Sequence, residues 1–309
     1  MTANEELLNK NALAVIKLSG ALGRFRGGDR LPRISDLARE IQLSVGTTQY
    51  GLNFLREKDA LSVTTKGHMG TFINKLNYEK LLKYSGSTVR ACVMPLPYSL
   101  RYEGMATAFS KLGNKNGKFY LAFMNGSGRR IKALTEGRYD CALVSLMAAR
   151  EAISRGMAIS VAVSYGPQSY LETHVLVHRT KTPGRIKKIG LDSESLDQAM
   201  LSKSFLASHP LVSVVNLPYT HIIRRLLAGE VDATLWNLDY IKEHQPMLQF
   251  SRLDLTSFEQ SVENSMTEAA LVVRSGDEAA SHFLSRCFPR TKVLLIQETV
   301  FSGRRLPEY

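Results

Sequence analysis

The sequence predicts a small α+β domain of three helices and a β-hairpin, followed by a larger two-lobed α/β domain. Three observations predict this architecture. Two glycine-containing runs, 28–32 and 66–73, enclose two short helical patterns. From residue 88 onward, short apolar runs alternate with helical stretches. The residue pattern of one segment in this second part also recurs about ninety residues later. We therefore place a first domain at 1–80, a linker at 81–87 and a second domain at 88–309.

Composition is consistent with two globular domains in a reducing compartment. The chain has 309 residues, 44% hydrophobic content and a net charge of +12, which suits a polyanionic partner but also ordinary solubility. Its three cysteines form no Cys-x-x-Cys pair, so we expect buried free thiols. Neither a membrane span nor a secretory signal is evident, and we expect a cytoplasmic protein.

Each element of the first domain has its own signal. Apolar residues at helical spacing predict a first helix over 5–22. Pro32 opens a second short helix, and Ser44 is the predicted N-cap of a third helix over 45–58. Runs 61–63 and 71–73 predict two strands around a tip at 66–70. The third helix is expected to bury an apolar face made of Tyr50, Leu52, Phe54 and Leu55.

This layout is typical of a winged helix-turn-helix domain, and double-stranded DNA is its first candidate partner. In such domains the start of the third helix meets base edges in the major groove, and basic residues around it contact phosphate. The alternative is a three-helix domain that binds protein, in which the polar residues are only helix caps. We expect DNA contacts from ten residues: Arg26, Arg30, Arg33, Ser44, Val45, Thr47, Thr48, Gln49, Lys66 and His68.

The motifs of this domain also carry a family resemblance. The runs Gly-Asp-Arg-Leu-Pro at 28–32, Leu-Ser-Val-Gly-Thr-Thr-Gln at 43–49 and Gly-Thr-Phe-Ile at 70–73 resemble the head of GntR-type bacterial regulators. The chain has Arg33 where that family usually has a serine cap, and Val45 and Gln49 where it often has arginine. The wing is one residue longer than usual. These departures concern the DNA sequence that is preferred, and not the fold.

Nine strands are predicted in the second domain. They alternate with helical stretches, which is typical of a mixed α/β sheet. The predicted strands cover 89–94, 119–124, 141–145, 159–163, 174–178, 188–191, 212–216, 233–236 and 270–273.

The repeated segments, 131–145 and 223–237, divide this domain into two lobes. Each has a helix, a Leu-x-x-Gly-x-x-Asp turn, a short strand and a polar residue. We expect the glycine to end the helix in a left-handed conformation and the strand to emerge near a cleft. This pattern resembles the type 2 periplasmic-binding-protein fold, which hinges around a small molecule. With its GntR-like head, the whole chain is similar to YhfZ-type transcriptional regulators. That resemblance implies a ligand-sensing regulator.

Ligand groups in such a fold lie at strand ends and helix starts that face the cleft. The competing interpretation of the stretches at 125–129 and 192–195 is a plain turn and a plain helix cap, and the only tryptophan can equally be a core residue. Two arginines, Arg101 and Arg129, are candidates to bind an acidic group of the effector. The full set of candidates is Tyr98, Ser99, Arg101, Asn125, Ser127, Gly128, Arg129, Ser145, Asp192, Ser193, Ser195, Trp236 and Asn237.

No motif of a catalytic, metal or cofactor site is recognisable, so we expect neither an enzyme nor a bound cofactor. His174 and His178 share a four-residue spacing, but their surroundings predict an edge or surface strand. Three hypotheses remain: a ligand-responsive transcription factor that acts as a homodimer, a DNA-binding protein whose α/β domain only dimerises, and an enzyme on a binding-protein-like fold.

Overall fold

The computed structural model divides the chain into two compact units. It describes residues 9–86, 89, 91–114, 119–179, 186–245, 248–253 and 260–309. The first unit comprises Met1–Val89 and Ser275–Cys287, and the second comprises Arg90–Arg274 and Phe288–Tyr309. Each unit is treated below by itself.

The three helices and the hairpin of the first unit confirm the sequence prediction, although residues 5–8 of the predicted first helix lie outside the described residues. An antiparallel pair of strands follows the three helices, and a short 3-10 turn, Gly67–Met69, forms the tip between them. The elements are α1 (Lys10–Leu22), α2 (Ile34–Ile41), α3 (Val45–Glu57), β1 (Leu61–Thr65), β2 (Thr71–Leu76) and α4 (Tyr78–Tyr84).

Side chains from α1, α2, α3 and α4 and from both strands meet in one core in this unit. Leu18, Leu37, Leu55 and Ile73 are almost completely buried there. Gly51 lets α3 cross α1 closely, because a Cβ at this position would lie 2.7 Å from a methyl carbon of Leu18. The apolar pattern of the helices therefore serves to hold α3 against the rest of the domain.

Residues 81–84 of the segment predicted as a linker lie in helix α4, and residue 87 lies outside the described residues. Helix α4 begins after Asn77, whose side-chain oxygen accepts a hydrogen bond from the backbone N–H of Lys80. Leu81 is 2% exposed and joins the core of the first unit. The ring of Tyr84 also packs edge-on against Phe54, and the hydroxyl of Tyr78 donates to the backbone oxygen of Phe25, so several contacts hold this short helix on the first unit.

The second unit contains two five-stranded sheets, and each forms the centre of one lobe. All nine predicted strands are present. The first lobe contains β3 (Ala91–Met94), α5 (Leu100–Asn114), β4 (Tyr120–Phe123), α6 (Ser127–Thr135), β5 (Cys141–Ser145), α7 (Leu146–Ser154) and β6 (Ile159–Ser164). The second lobe contains β7 (His174–His178), β8 (Lys188–Leu191), α8 (Leu196–Ser208), β9 (Ser213–Asn216), α9 (Tyr219–Leu227), β10 (Ala233–Asn237), α10 (Leu238–His244) and β11 (Gln249–Arg252).

The last elements of the chain are α11 (Gln260–Thr267), β12 (Ala269–Arg274), α12 (Glu278–Cys287) and α13 (Arg290–Phe301). The strand orders are β4-β3-β5-β12-β6 in the first lobe and β11-β7-β10-β8-β9 in the second. The chain passes to the second sheet after β6 and returns to the first with β12. The chain therefore passes twice between the two lobes.

The two repeated segments fold alike, as predicted. Gly137 and Gly229 follow α6 and α9 with φ angles of +76° and +77°, in the left-handed region. At the start of β5, the carboxylate of Asp140 accepts a hydrogen bond from the backbone N–H of Ala91 on the neighbouring strand. Asp232 likewise accepts from the backbone N–H of Lys188. Each aspartate therefore ties its strand to a parallel neighbour.

The helix α12 belongs to the first unit, which the sequence did not indicate. The guanidinium of Arg286 lies 3.6 Å from the ring centroid of Tyr78. It also donates a hydrogen bond of 2.7 Å to the backbone oxygen of Phe25. A cation–π contact of this kind contributes about 1 kcal/mol. A segment that follows β12 in sequence is thus built into the small helical unit.

Candidate functional site

The start of α3 presents polar side chains to solvent, as the DNA prediction requires, with one exception. Ser44 caps the helix and accepts a hydrogen bond from the backbone N–H of Thr47. Val45 is 50% exposed and Gln49 is exposed. Thr48 is fully buried, and its hydroxyl donates to the backbone oxygen of Ser44. Thr48 is therefore a structural residue, and its predicted base contact is wrong.

The basic side chains predicted to contact DNA are all exposed: Arg26, Arg30, Arg33, Lys66 and His68. Three of them, Arg30, Arg33 and His68, line a groove of about 730 Å³ between α2, α3 and the hairpin. Arg33 occupies the N-cap position of α2 without a side-chain hydrogen bond, so its guanidinium is not needed to cap the helix. The Lys66 ammonium lies 5.1 Å from the ring centroid of Phe72.

Sequence reasoning missed Arg56, which lines the same groove as Gln49. The two residues are seven positions apart, about two helical turns, and so they share one face of α3. This spacing could have identified Arg56. The same logic corrects Tyr50, which was expected in the apolar face but is 48% exposed. Gly51, and not Tyr50, occupies the buried position against α1.

A second candidate site is a cavity of about 40 Å³ between the two lobes of the second unit. Its wall combines a set of aromatic rings with polar side chains from both lobes. The aromatic residues are Tyr98, Tyr102, Tyr170, Tyr219 and Trp236, and the polar ones are Asn125, Ser127, Arg130, His174, Ser195, Asp197, Gln198 and Asn237. Six residues predicted from sequence are brought together here: Tyr98, Asn125, Ser127, Ser195, Trp236 and Asn237.

The two lobes are joined around this cavity by direct hydrogen bonds. The hydroxyls of Tyr98 and Tyr219 are 2.6 Å apart. The hydroxyl of Ser127 accepts from the backbone N–H of Leu196 at 3.2 Å. The cavity is far smaller than most small-molecule sites, which measure about 300–1,000 Å³. The structure is thus a closed arrangement in which the protein's own groups fill the cleft.

Neither arginine predicted to bind an acidic ligand lines the cavity. Arg101 donates to the carboxylate of Asp239 at 3.2 Å, and both side chains are largely buried. Arg129 is half exposed and lies 3.8 Å from the carboxylate of Glu194. The arginine in the cavity wall is Arg130, which is 3% exposed. Consecutive helical residues point about 100° apart, so an error of one position exchanges a surface arginine for a buried one.

Arg130 is held by three hydrogen bonds. Its guanidinium donates to the backbone oxygens of Leu143 and Met124, at 3.0 and 2.7 Å, and to the hydroxyl of Tyr170 at 2.9 Å. These three partners are neutral oxygens, and the charge of Asp197, on the same cavity wall, also acts on Arg130. A guanidinium has five N–H donors, so part of its capacity is unused.

Other predicted ligand residues have structural partners. The carboxylate of Asp192 accepts from the backbone N–H groups of Glu194 and Tyr219. The N–H of Ser193 donates to the side chain of Asn216. Three further candidates, Ser99, Gly128 and Ser145, also lie outside the cavity wall. Ser99 accepts from the N–H of Tyr102, Gly128 donates to the backbone oxygen of Glu194, and Ser145 caps α7.

Burial shifts the pKa values of several groups in the cavity wall, and those of Asp197 and His174 lie nearest to neutral pH. Burial raises the pKa of Asp197 to about 6, against the opposing effects of a hydrogen bond from Ser145 and the charge of Arg130. Burial lowers the pKa of His174 to about 4, so its ring is neutral at neutral pH. His174 lies on β7, an interior strand of its sheet with five buried residues. The predicted edge or surface strand is therefore wrong.

Two buried donors on the cavity wall have no hydrogen-bond partner among the described residues. They are the indole Nε1 of Trp236 and the amide Nδ2 of Asn237. The indole stacks on the ring of Tyr219 with centroids 4.2 Å apart. The side-chain oxygen of Asn237 caps α10 by accepting from the N–H of Asp239. Both groups are therefore fixed in place while their N–H donors stay unsatisfied.

The described residues contain no group of three or more histidine, cysteine and acidic side chains that could hold a metal ion. Within the same part of the chain, every helix is too short or too polar to cross a lipid bilayer. The three cysteines are buried and free.

The fold and these sites define a helix-turn-helix protein with an α/β domain of the substrate-binding-protein type. Residues 26–73 match a helix-turn-helix domain family, and residues 77–309 match the YhfZ C-terminal domain family. The chain is 30% identical to YhfZ of Escherichia coli K12 over 98% of both proteins. It therefore belongs to the YhfZ family. The more specific GntR-type resemblance of the head stays a prediction.

Solved structures give the same result for the fold. The crystal structure of YhfZ from Shigella flexneri is 31% identical and superposes with a TM-score of 0.61, covering 75% of this chain and 98% of that one. The substrate-binding protein of an amino acid ABC transporter superposes with a TM-score of 0.51 at 15% identity, covering 70% of this chain and 98% of that one. The second likeness concerns the fold alone.

Proposed function

We propose that this protein is a ligand-responsive, DNA-binding transcriptional regulator. Its helix-turn-helix head binds double-stranded DNA, and a small molecule bound between the two lobes alters that binding. The observation that carries the proposal is the exposed polar start of α3 beside a groove lined by Arg30, Arg33 and Arg56. Polar groups at a helix start can contact base edges, and a basic rim can contact phosphate. No catalytic role is part of this proposal.

The DNA half of the proposal assigns different tasks to different residues. Gln49 can form two hydrogen bonds to one adenine, and the exposed methyls of Val45 can contact a thymine methyl. Lys66 and His68 lie at the tip of the hairpin. We assign them to contacts with the DNA phosphate backbone or the minor groove, and not to base recognition in the major groove. This division predicts that substitutions on the helix and on the wing have different consequences.

Two substitutions test that division on the full chain. Gln49→Ala should relax the preference at one base pair, because a bidentate contact contributes about 1–3 kcal/mol of discrimination. Lys66→Ala should weaken binding to all sequences about equally and reduce the slope of log affinity against log salt by about 1. Both effects are measured by fluorescence anisotropy on an operator selected from random DNA. Arg155→Gln, an exposed arginine of the second unit, is the matched control for charge. Unchanged binding in both test variants would remove α3 and the wing as the DNA-binding face.

The ligand half of the proposal rests on the interlobe cavity. Small-molecule sites usually measure about 300–1,000 Å³, far more than the closed cavity of about 40 Å³. A ligand must therefore separate the lobes, at least at the contact between Tyr98 and Tyr219. The fold likeness to a substrate-binding protein of an amino acid transporter supports a hinged site of this kind. Ligand binding then shifts the population between two lobe arrangements.

We further propose that the protein acts in the cytoplasm as a homodimer on a palindromic operator. Two heads related by two-fold symmetry would meet half-sites about one helical turn apart. Analytical ultracentrifugation tests the dimer, and operators with altered half-site spacing test the geometry. A metabolite library screened by thermal shift separates a sensor from a protein whose α/β domain only dimerises, because the latter has no ligand that both stabilises it and changes its DNA affinity.

A further inference from the structure

We propose that the interlobe cavity binds a small carboxylate, whose oxygens accept hydrogen bonds from Trp236 Nε1, Asn237 Nδ2 and the unused N–H groups of Arg130. This inference rests on the ligand site proposed above and names its chemical class and its anchoring residues. Arg101 and Arg129, the two arginines first considered for an acidic group, have no part in it.

The first argument is the pair of unsatisfied donors. A buried donor without a partner costs about 1–3 kcal/mol, so native structures keep few of them. Among the described residues there are four such side-chain atoms, and two of them belong to neighbouring residues on the wall of this one cavity. The oxygen of Asn237 is already used by the N-cap of α10, so its free capacity is donation only. The missing partner is therefore an acceptor.

The second argument is the charge of Arg130. Its guanidinium is 3% exposed and its three hydrogen bonds go to neutral oxygens. The carboxyl of Asp197 lies on the same cavity wall and acts on Arg130 through its charge, but it makes no hydrogen bond to the guanidinium. A ligand carboxylate would supply a directly bonded charge and a further pair of acceptor oxygens. A neutral amide would supply one acceptor and no charge.

The third argument is a carboxyl group in the cavity wall, which limits the kinds of carboxylate that can bind. Asp197 lines the same cavity and accepts a hydrogen bond from Ser145. Ionised Asp197 would repel a simple carboxylate, whereas it would pair with the ammonium of an α-amino acid. Because burial raises the pKa of Asp197 to about 6, a simple carboxylate should bind more tightly below that pH. The pH dependence of the affinity thus distinguishes a simple carboxylate from an α-amino acid.

The test is isothermal titration calorimetry of the full-length protein with a panel of small carboxylates. The panel contains monocarboxylates, dicarboxylates, 2-oxo acids and α-amino acids of two to six carbons, each with its primary amide. We expect at least one acid to bind at least tenfold more tightly than its amide. Trp236→Phe keeps a ring that can stack on Tyr219 and removes the N–H together with the five-membered ring of the indole, so affinity for that acid should fall roughly ten- to hundredfold.

A second variant and a control separate a specific loss of acid binding from a loss caused by misfolding. Asn237→Asp keeps the oxygen that caps α10 and replaces the donor by a negative group, so it should abolish acid binding. Arg129→Gln removes the neighbouring exposed arginine and should leave the affinity unchanged.

Three outcomes would overturn the proposal. An acid that binds Trp236→Phe and Asn237→Asp as tightly as the wild-type protein excludes these donors. A stabilising ligand without a carboxylate, found in the wider library, refutes the chemical class while leaving the proposed regulator intact. Binding of no panel member indicates that ordered water alone satisfies the donors. Failure of the wild-type protein to bind DNA would instead contradict the proposed function. DNA binding is measured in a separate experiment.

Discussion

The buried carboxyl of Asp197 should make the stability of the closed cleft depend on pH. Replacing it by asparagine removes a carboxyl that burial makes reluctant to ionise, while an amide oxygen can still accept the hydrogen bond from Ser145. We predict that Asp197→Asn is more stable than the wild-type protein at neutral pH, and that this advantage shrinks as the pH falls.

The magnitude follows from the shift in pKa. Asp197 has a pKa of about 6 in the folded protein and an ordinary value of 3.8. The folded state binds the proton more tightly, so stability is fully present below pH 3.8 and is lost as the pH rises toward 6. At about 1.4 kcal/mol per pH unit, the full effect is on the order of 3 kcal/mol. About 2 kcal/mol of it should appear between roughly pH 4.5 and 7.5.

The assay is urea unfolding followed by tryptophan fluorescence. The chain has one tryptophan, and Trp236 lies in the wall of this cavity. The signal therefore reports the unit that contains Asp197, even where the two units unfold in separate steps. Unfolding free energies of the variant and the wild-type protein are compared at several pH values.

The difference between the two proteins isolates Asp197. His174 has the opposite linkage, because a pKa lowered from 6.5 to about 4 makes stability fall as the pH falls through that range. The wild-type curve alone should then be nearly flat, since the two effects offset each other. His174 is present in both proteins and cancels in the difference. A difference that is constant with pH, or that grows toward low pH, would refute the assignment of a buried Asp197 with a raised pKa.

Two further predictions concern packing and backbone conformation. Leu37→Ala should destabilise the head by about 2–5 kcal/mol, because the leucine is fully buried in its core; circular dichroism during urea unfolding measures this, and a change below 1 kcal/mol would contradict the core assignment. Gly137→Ala and Gly229→Ala should each cost about 1 kcal/mol for their positive φ, because the nearest atom to a Cβ at Gly229, 2.8 Å away, is a terminal nitrogen of the flexible Arg179 side chain and can move. A much larger cost at Gly229 than at Gly137 in the tryptophan assay would contradict this.

Much of the fold could be predicted because its signals are local. Helix caps such as Ser44, the glycine that ends each repeated helix, and short apolar strands are all legible in sequence. β11 (Gln249–Arg252) was missed because only one of its four residues is apolar. The helix around Arg286 was not assigned to the head, since its partners Phe25 and Tyr78 are more than two hundred positions away.

The candidate sites were harder to predict because they depend on helix phase and on contacts between lobes. Arg129 and Arg130 are residues of the same type, and only the packing of α6 buries Arg130 and leaves Arg129 exposed. Thr48 and Gln49 differ in the same way on α3. His174 and Tyr219 reach the cavity from separate elements of the second lobe, and no spacing in the sequence joins them to Trp236. Sequence therefore located the regions of both sites better than their individual side chains.

The central claim is that a ligand in the interlobe cavity changes the affinity of the head for DNA. The most direct measurement is the dissociation constant of the full-length protein for its selected operator, at fixed salt, with and without a saturating ligand identified by calorimetry. The account predicts a change of at least about fivefold, which corresponds to a coupling free energy of about 1 kcal/mol. The change should be absent in Asn237→Asp, whose head is unaltered. Equal operator affinity with and without bound ligand would contradict the account.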